Sequence, residues 1–200
     1  MLEYSGDLKR KFPNLKVLTV RINNVKVGKK SDELEKFKDK IIRETREKYD
    51  LNDLKNVSVF RTYRDFFWKI NIDPTKTRPA SEALVRRVLQ GKKLPIINTL
   101  VDAYNLASLK SGIPLAAFDC STLEGSLEMR FARKGEKFRG IGMSKTMELA
   151  GGEIIITDSE KTIAIYPYRD SEETKITTET SDVLLMVCGV PGIEQKLEEA

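Results

Sequence analysis

The chain has 200 residues, 40% of them apolar and 32% charged, with 35 basic and 30 acidic side chains, two cysteines and no histidine. That length and apolar content are enough for a packed core and argue against disorder. The missing histidine removes histidine-based triads and the commonest zinc ligand together. Charge is uneven: residues 1–100 carry 24 basic and 13 acidic side chains, a net of +11, whereas residues 101–200 carry 11 and 17, a net of −6. Such asymmetry permits a basic face for a polyanion, and lysine-rich helices standing in water give the same pattern. No apolar run approaches the roughly 20 residues that span a membrane, and the opening MLEYSGDLKRKF lacks a signal-peptide core. A cytoplasmic protein with no membrane contact is expected. Cys120 and Cys188 sit in apolar stretches and read as small hydrophobes; they are not spaced as a metal-binding pair.

Taken in order, residues 1–12 read as a peripheral helix or arm. Val17 to Ile22 is a strand bounded by polar residues, and Lys26 to Gly28 a second short one. Ser31 caps an amphipathic helix with Leu34, Phe37, Ile41, Ile42 and Tyr49 on one stripe. Val57 to Asn71 is aromatic-rich. Phe60, Tyr63 and Phe67 fall on one helical face, which favours core packing over a base-stacking platform. Arg78-Pro79-Ala80 opens another helix that Gly91 closes. Arg86, Arg87, Lys92 and Lys93 gather at its C-terminal end, either to offset the helix dipole or to meet phosphates.

The central stretch runs from Pro95 to Asp119. Asn98 or Thr99 caps a helix carrying Leu100, Val101, Tyr104 and Leu109, and Gly112 ends it in a left-handed cap before Pro114. Leu115 to Cys120 is a short buried strand. Asp102, Asn105 and Asp119 lie on or beside this apolar framework, so they either tie the fold together or line a pocket. Beyond it the chain is strand-rich. Leu127 to Phe131 alternates into a turn at Arg133–Glu136, where an Arg130–Glu136 tie is expected. Arg139-Gly140-Ile141-Gly142 is a glycine-punctuated loop that matches neither a dinucleotide fingerprint nor a phosphate-binding loop. Glu153–Thr157 and Thr162–Tyr166 form a hairpin. Val183 to Cys188 is a buried strand, and Ile193 to Ala200 a short acidic helix.

Ile97-Asn98, Val101-Asp102 with Asn105, Gly112 with Pro114-Leu115, and Ala117-Phe118-Asp119 together resemble the B3/B4 domain of the phenylalanyl-tRNA synthetase beta subunit. Leu123-Glu124-Gly125-Ser126, Met129-Arg130 and Gly135-Glu136-Lys137-Phe138 extend the match, which covers roughly Arg78 to Gly192. The resemblance implies an α+β fold, with helices packed on a mostly antiparallel sheet. It divides the chain into an N-terminal strand and helices (1–77), within the same compact unit, and a B3/B4-like core (78–200), in the free-standing branch of the family.

The resemblance also implies an activity, hydrolysis of the ester of a mischarged aminoacyl-tRNA, with tRNA or aminoacyl-tRNA as partner and with neither a metal nor an organic cofactor. Asn105 matches a pocket-lining position whose amide holds a carbonyl or a water. The family's histidine, glutamate and threonine positions carry Ala116, Met186 and Tyr104 here, so these three line a changed substrate pocket. Arg169 and Asp170 are candidates to complete the catalytic set, Arg169 toward a phosphate or the ester and Asp170 toward the amino group. An adjacent solvated turn pair is the plainer reading of the two. Thr174 and Thr177 are candidates to position water, Thr174 as part of the substrate pocket. The changed positions leave three functions open: an altered amino acid specificity, a non-catalytic RNA-binding module, or an amino-acid-binding protein.

Overall fold

The computed structural model describes residues 2–199. The chain runs β1 (Leu2–Tyr4), α1 (Gly6–Lys11), β2 (Leu18–Ile22), α2 (Asp32–Lys48), α3 (Ser58–Lys69), α4 (Ala80–Leu89), α5 (Thr99–Ser111), β3 (Leu115–Asp119), β4 (Leu127–Phe131), β5 (Lys137–Phe138), β6 (Met147–Glu148), β7 (Ile154–Thr157), β8 (Thr162–Ile165), β9 (Arg169–Asp170) and β10 (Val183–Val187). The larger sheet has five strands in the order β1-β4-β7-β8-β9, and the smaller has three in the order β2-β10-β3. Every pairing is antiparallel except β1 with β4. The class is α+β, as expected.

Local chemistry places the helices. The Ser31 side chain accepts the Leu34 N–H at the start of α2. The Asn98 side chain accepts the Val101 N–H at 2.9 Å to open α5, and Gly112 closes it at φ 78°. An L side chain is strained at that φ, so glycine is the natural stop. Phe60, Tyr63, Phe66 and Phe67 of α3 are all buried, and Trp68 is left outside. The stripe is therefore core, not a stacking platform.

The sheets face each other because their strands alternate. Ala116, Phe118 and Met186 of the smaller sheet join Met129, Ile156 and Ala164 of the larger in the main apolar cluster. The opposite side of the smaller sheet packs Ala117 and Val183 against Val101 of α5. Ile155 and Ile165, pointing away from the main cluster, are covered by Phe138 and Leu149 from the β5–β6 ribbon region. This accounts for isoleucine at three successive positions in β7: both faces of the strand are buried.

Four expectations need correction. The first residues are not peripheral: β1 pairs with β4, and Leu8 of α1 is fully buried in the main cluster. Lys26–Gly28 forms no strand; Gly28 instead exchanges hydrogen bonds with Thr99, its N–H donating to Thr99 Oγ1 and its carbonyl accepting the Thr99 N–H, both at 2.9 Å. Cys120 lies past the end of β3, in a short turn where it is partly exposed. The C-terminal segment makes only a single helical turn, Glu194–Lys196, although Leu197 beside it is buried; Ala200 lies outside the described residues.

Candidate functional site

Two depressions meet at one residue. The first is a cavity of about 70 Å³ between the two sheets, lined by Ala116, Ala164, Met186, Cys188, Arg169 and Asp170 among others. Register explains it. Asp170 lies opposite Ala164, and Ala164 opposite Ile156, across the larger sheet. Ala116 lies opposite Met186 across the smaller one. Opposed residues share a face. Alanine on each facing row therefore leaves space that a branched side chain would fill.

The second depression is an open cleft of about 430 Å³ along α4, lined by Arg78, Ala80, Arg86, Arg87, Lys92 and Asn105 among others. Ala80 lines both depressions. It stands at the first turn of α4, where Pro79 offers no side-chain cap, so the positive end of the helix dipole is open there. The helix is anchored by a bidentate pair, in which Arg64 donates to both carboxylate oxygens of the sealed Glu82 at 2.6 and 2.7 Å.

Asp170 is the unusual group. Among the described residues its carboxyl has neither a hydrogen bond nor an ion pair, and burial pushes it up to about 7. A carboxyl poised there, in an apolar wall, marks a functional-site candidate. Burial, then the charges of Asp170, Cys188 and Asp102, push the Tyr104 phenol up; Tyr104 is not part of the lining and packs against the cluster of Val101, Ala117 and Val183 on the other side of the smaller sheet. Burial and then Asp170 do the same to the Cys188 thiol, so this cysteine is an inert neighbour. The backbone at this end is fixed by two phenols: Tyr63 donates to the Cys188 carbonyl at 2.6 Å, and Tyr166 donates to the Gly189 carbonyl.

Arg169 is exposed at the mouth. Its aliphatic stem lies across Gly140, where an added Cβ would meet Arg169 Cδ at 2.4 Å. The glycine loop at 139–142 is thus a seat for Arg169: Gly140 bridges to Ser171, and the Ile141 N–H donates to the Asp170 carbonyl at 2.9 Å.

The structure brings Ala116, Met186, Arg169 and Asp170 around one cavity. It puts Asn105 in the adjoining cleft, with Arg86, Arg87 and Lys92. Lys93 is exposed next to them, and its carbonyl accepts a bond from Arg87 Nε. Among the described residues Arg86 Nε is buried without a partner. Thr174 is fully buried, its hydroxyl without a partner among the described residues, and it lines neither depression. Thr177 is exposed and caps a turn by accepting the Glu179 N–H. Asp119 is structural: burial alone would raise it, but the hydroxyls of Thr180 and Ser121 and the Ser121 N–H together hold it below the usual carboxylate range. Sequence reasoning missed Ala80, Ala164 and Arg78. The one available signal was Ala164 at a core-facing position between Ile163 and Ile165.

A third cleft, of about 360 Å³, lies on the outer side of the larger sheet. Its Arg130–Glu136 and Lys161–Asp158 charges are paired with one another, as the turn chemistry predicts for the first pair. Among the described residues no cluster of three or more acidic or cysteine side chains could hold a metal ion, and no helix is long and apolar enough to cross a membrane.

A family model described as the B3/4 domain matches residues 62–198. The chain belongs to the B3/4 domain family. The match begins inside α3, upstream of the Arg78 boundary read from the sequence. Among curated proteins, the phenylalanine–tRNA ligase beta subunit of Lactobacillus acidophilus is 37% identical over 120 residues, covering 60% of this chain and 15% of that protein. The beta subunit of Aquifex aeolicus is 38% identical over 89 residues, covering 44% of this chain and 11% of that protein. The chain therefore spans a small part of the relatives it matches. A solved N-terminal fragment of the phenylalanyl-tRNA synthetase beta subunit from Pyrococcus horikoshii is 21% identical, covering 46% of this chain and 35% of that one at a TM-score of 0.40.

Proposed function

We propose that this B3/4 chain is an editing-type protein that hydrolyses the ester of a mischarged aminoacyl-tRNA. The observation that supports this reading is the junction at Ala80, where an apolar cavity ending on an unpartnered carboxylate adjoins a cleft rimmed by Arg78, Arg86, Arg87 and Lys92. A polyanion suits the cleft, an acyl group suits the cavity, and the ester linking them falls between. The curated relatives are named for tRNA ligation.

The chemistry asks little of the protein. An aminoacyl ester is already activated, so the site must hold the acyl group, admit a water and meet developing negative charge. In this reading the Asp170 carboxylate receives the α-ammonium. Arg169 faces the carbonyl oxygen as charge builds on it. Asn105 holds the terminal ribose or the water. The water oxygen bonds to the carbonyl carbon, the bond from that carbon to the ribose oxygen breaks, and the water's proton ends on the ribose oxygen. Free amino acid and uncharged tRNA result.

A second reading is binding without hydrolysis, to tRNA or to an amino acid. It is favoured by Ala116 and Met186, two apolar side chains on the smaller sheet's side of the cavity. Incubation with tRNAs charged with a panel of amino acids separates the two. Release of amino acid from at least one tRNA is expected, with Asp170→Asn slower by roughly ten- to a hundredfold, the worth of a charged hydrogen bond. Binding without release on every tRNA supports the second reading. Neither binding nor release contradicts both.

A further inference from the structure

Resting on the editing reading above, we propose that the acyl group this cavity accepts is a short one, with the side chain of glycine, alanine or serine, and that aromatic side chains are rejected. The volume carries the argument. The space between the sheets is about 70 Å³, whereas an apolar cavity that holds a single benzene ring measures about 150 Å³. A phenol or phenyl group therefore does not fit without moving the walls.

The walls resist that movement. Phe118 and Ile156 are fully buried, and Tyr166 and Met186 nearly so. Tyr166 is also tethered through its hydroxyl to the Gly189 carbonyl. Interiors at this density transmit strain instead of yielding to it. Met186 is the exception, an unbranched and adaptable side chain, and it lies directly opposite Ala116. It is the residue that sets the depth of the cavity. The remaining space is made by Ala116 and Ala164, and among the described residues the only carboxylate in the lining is Asp170. An α-ammonium at Asp170 leaves one direction for the side chain, toward the two alanines, and room there for only a few heavy atoms.

The test is turnover by the intact chain on tRNAs charged with glycine, alanine, serine, phenylalanine and tyrosine. Release of at least one short residue is expected to be roughly a hundredfold faster than release of either aromatic, comparable with the discrimination that apolar pockets achieve by size. Met186→Ala is expected to raise aromatic release by roughly tenfold or more. Ala116→Val, which narrows the cavity without removing a wall, is expected to slow alanyl and seryl release more than glycyl release. Thermal unfolding verifies that each variant is folded. Aromatic residues released as fast as short ones, or a size order unchanged in Ala116→Val, overturns the proposal and leaves the editing reading standing. Release of none of the residues overturns both.

Discussion

Asp170 departs furthest from the ordinary behaviour of its side chain, and the departure has a measurable sign. Burial lifts its carboxyl from 3.8 to about 7. The folded state therefore binds a proton that the unfolded chain has already released. Stability from this group is complete below the unfolded value and is lost as pH rises toward about 7. Asp170→Asn should be more stable than the wild type above that pH and indistinguishable from it near pH ~4, which chemical denaturation across pH will show. Asp119, Asp158 and Glu136 behave oppositely. Burial would raise each, but hydrogen bonds hold all three below their usual range, those to Asp158 and Glu136 including bonds from Lys161 and Arg130. Their contribution is present above the unfolded values and disappears on acidification through the folded ones. The wild type should accordingly be most stable between these two windows.

At the scale of elements, the position of α4 decides whether cavity and cleft meet. Its tie to α3 is the Arg64–Glu82 pair, with the carboxylate sealed. Arg64→Ala leaves that charge buried and alone, at a cost of about 3–5 kcal/mol, measurable as a shift in denaturation midpoint. The helices are largely legible in the sequence, because their signals are local: the Ser31 and Asn98 caps and the Gly112 stop each act within one turn. The β7–β8 hairpin is legible for the same reason. β1 and β9 are not. Each is three residues or shorter; β1 exists only through its distant partner β4, and β9, though it pairs with its neighbour β8, is too short to leave a pattern. The cavity is half legible. Ala116, Met186, Arg169 and Asp170 follow from resemblance and strand position, and they do converge. Ala164 is an ordinary letter until register sets it opposite Ile156 and Asp170, and Ala80 until the packing of α4 brings it to both depressions. Asn105 reads as a pocket residue, yet it faces the cleft, one step along the helix from Tyr104. Thr174 reads as a pocket polar group, yet it is fully buried in its turn and lines neither depression.

The whole molecule carries its charge unevenly, and the cleft shows where part of the excess in residues 1–100 is placed. If tRNA phosphates lie along α4, affinity must fall with salt. Neutralising Arg87 and Lys92 together should weaken binding at all sequences. It should also reduce the slope of log affinity against log salt by roughly 0.7 to 0.9 for each phosphate left without its cation. A filter-binding salt titration reads this directly, and a slope unchanged by both substitutions would place the tRNA elsewhere.

The space between the sheets, bounded by Ala164 and Asp170, is proposed to hold the acyl group. Ala164→Val tests it most directly, because two extra methyl groups enter a void that is already there. Filling it should change stability by no more than about 1 kcal/mol, whereas forcing the same groups into a packed core costs about 1–3 kcal/mol. The deciding measurement is the rate of amino acid release from a short-chain aminoacyl-tRNA, set beside the unfolding free energy of the same variant. A folded, equally stable protein with release abolished is the predicted result. A folded protein releasing amino acid at the wild-type rate would show that the ester is cleaved somewhere else.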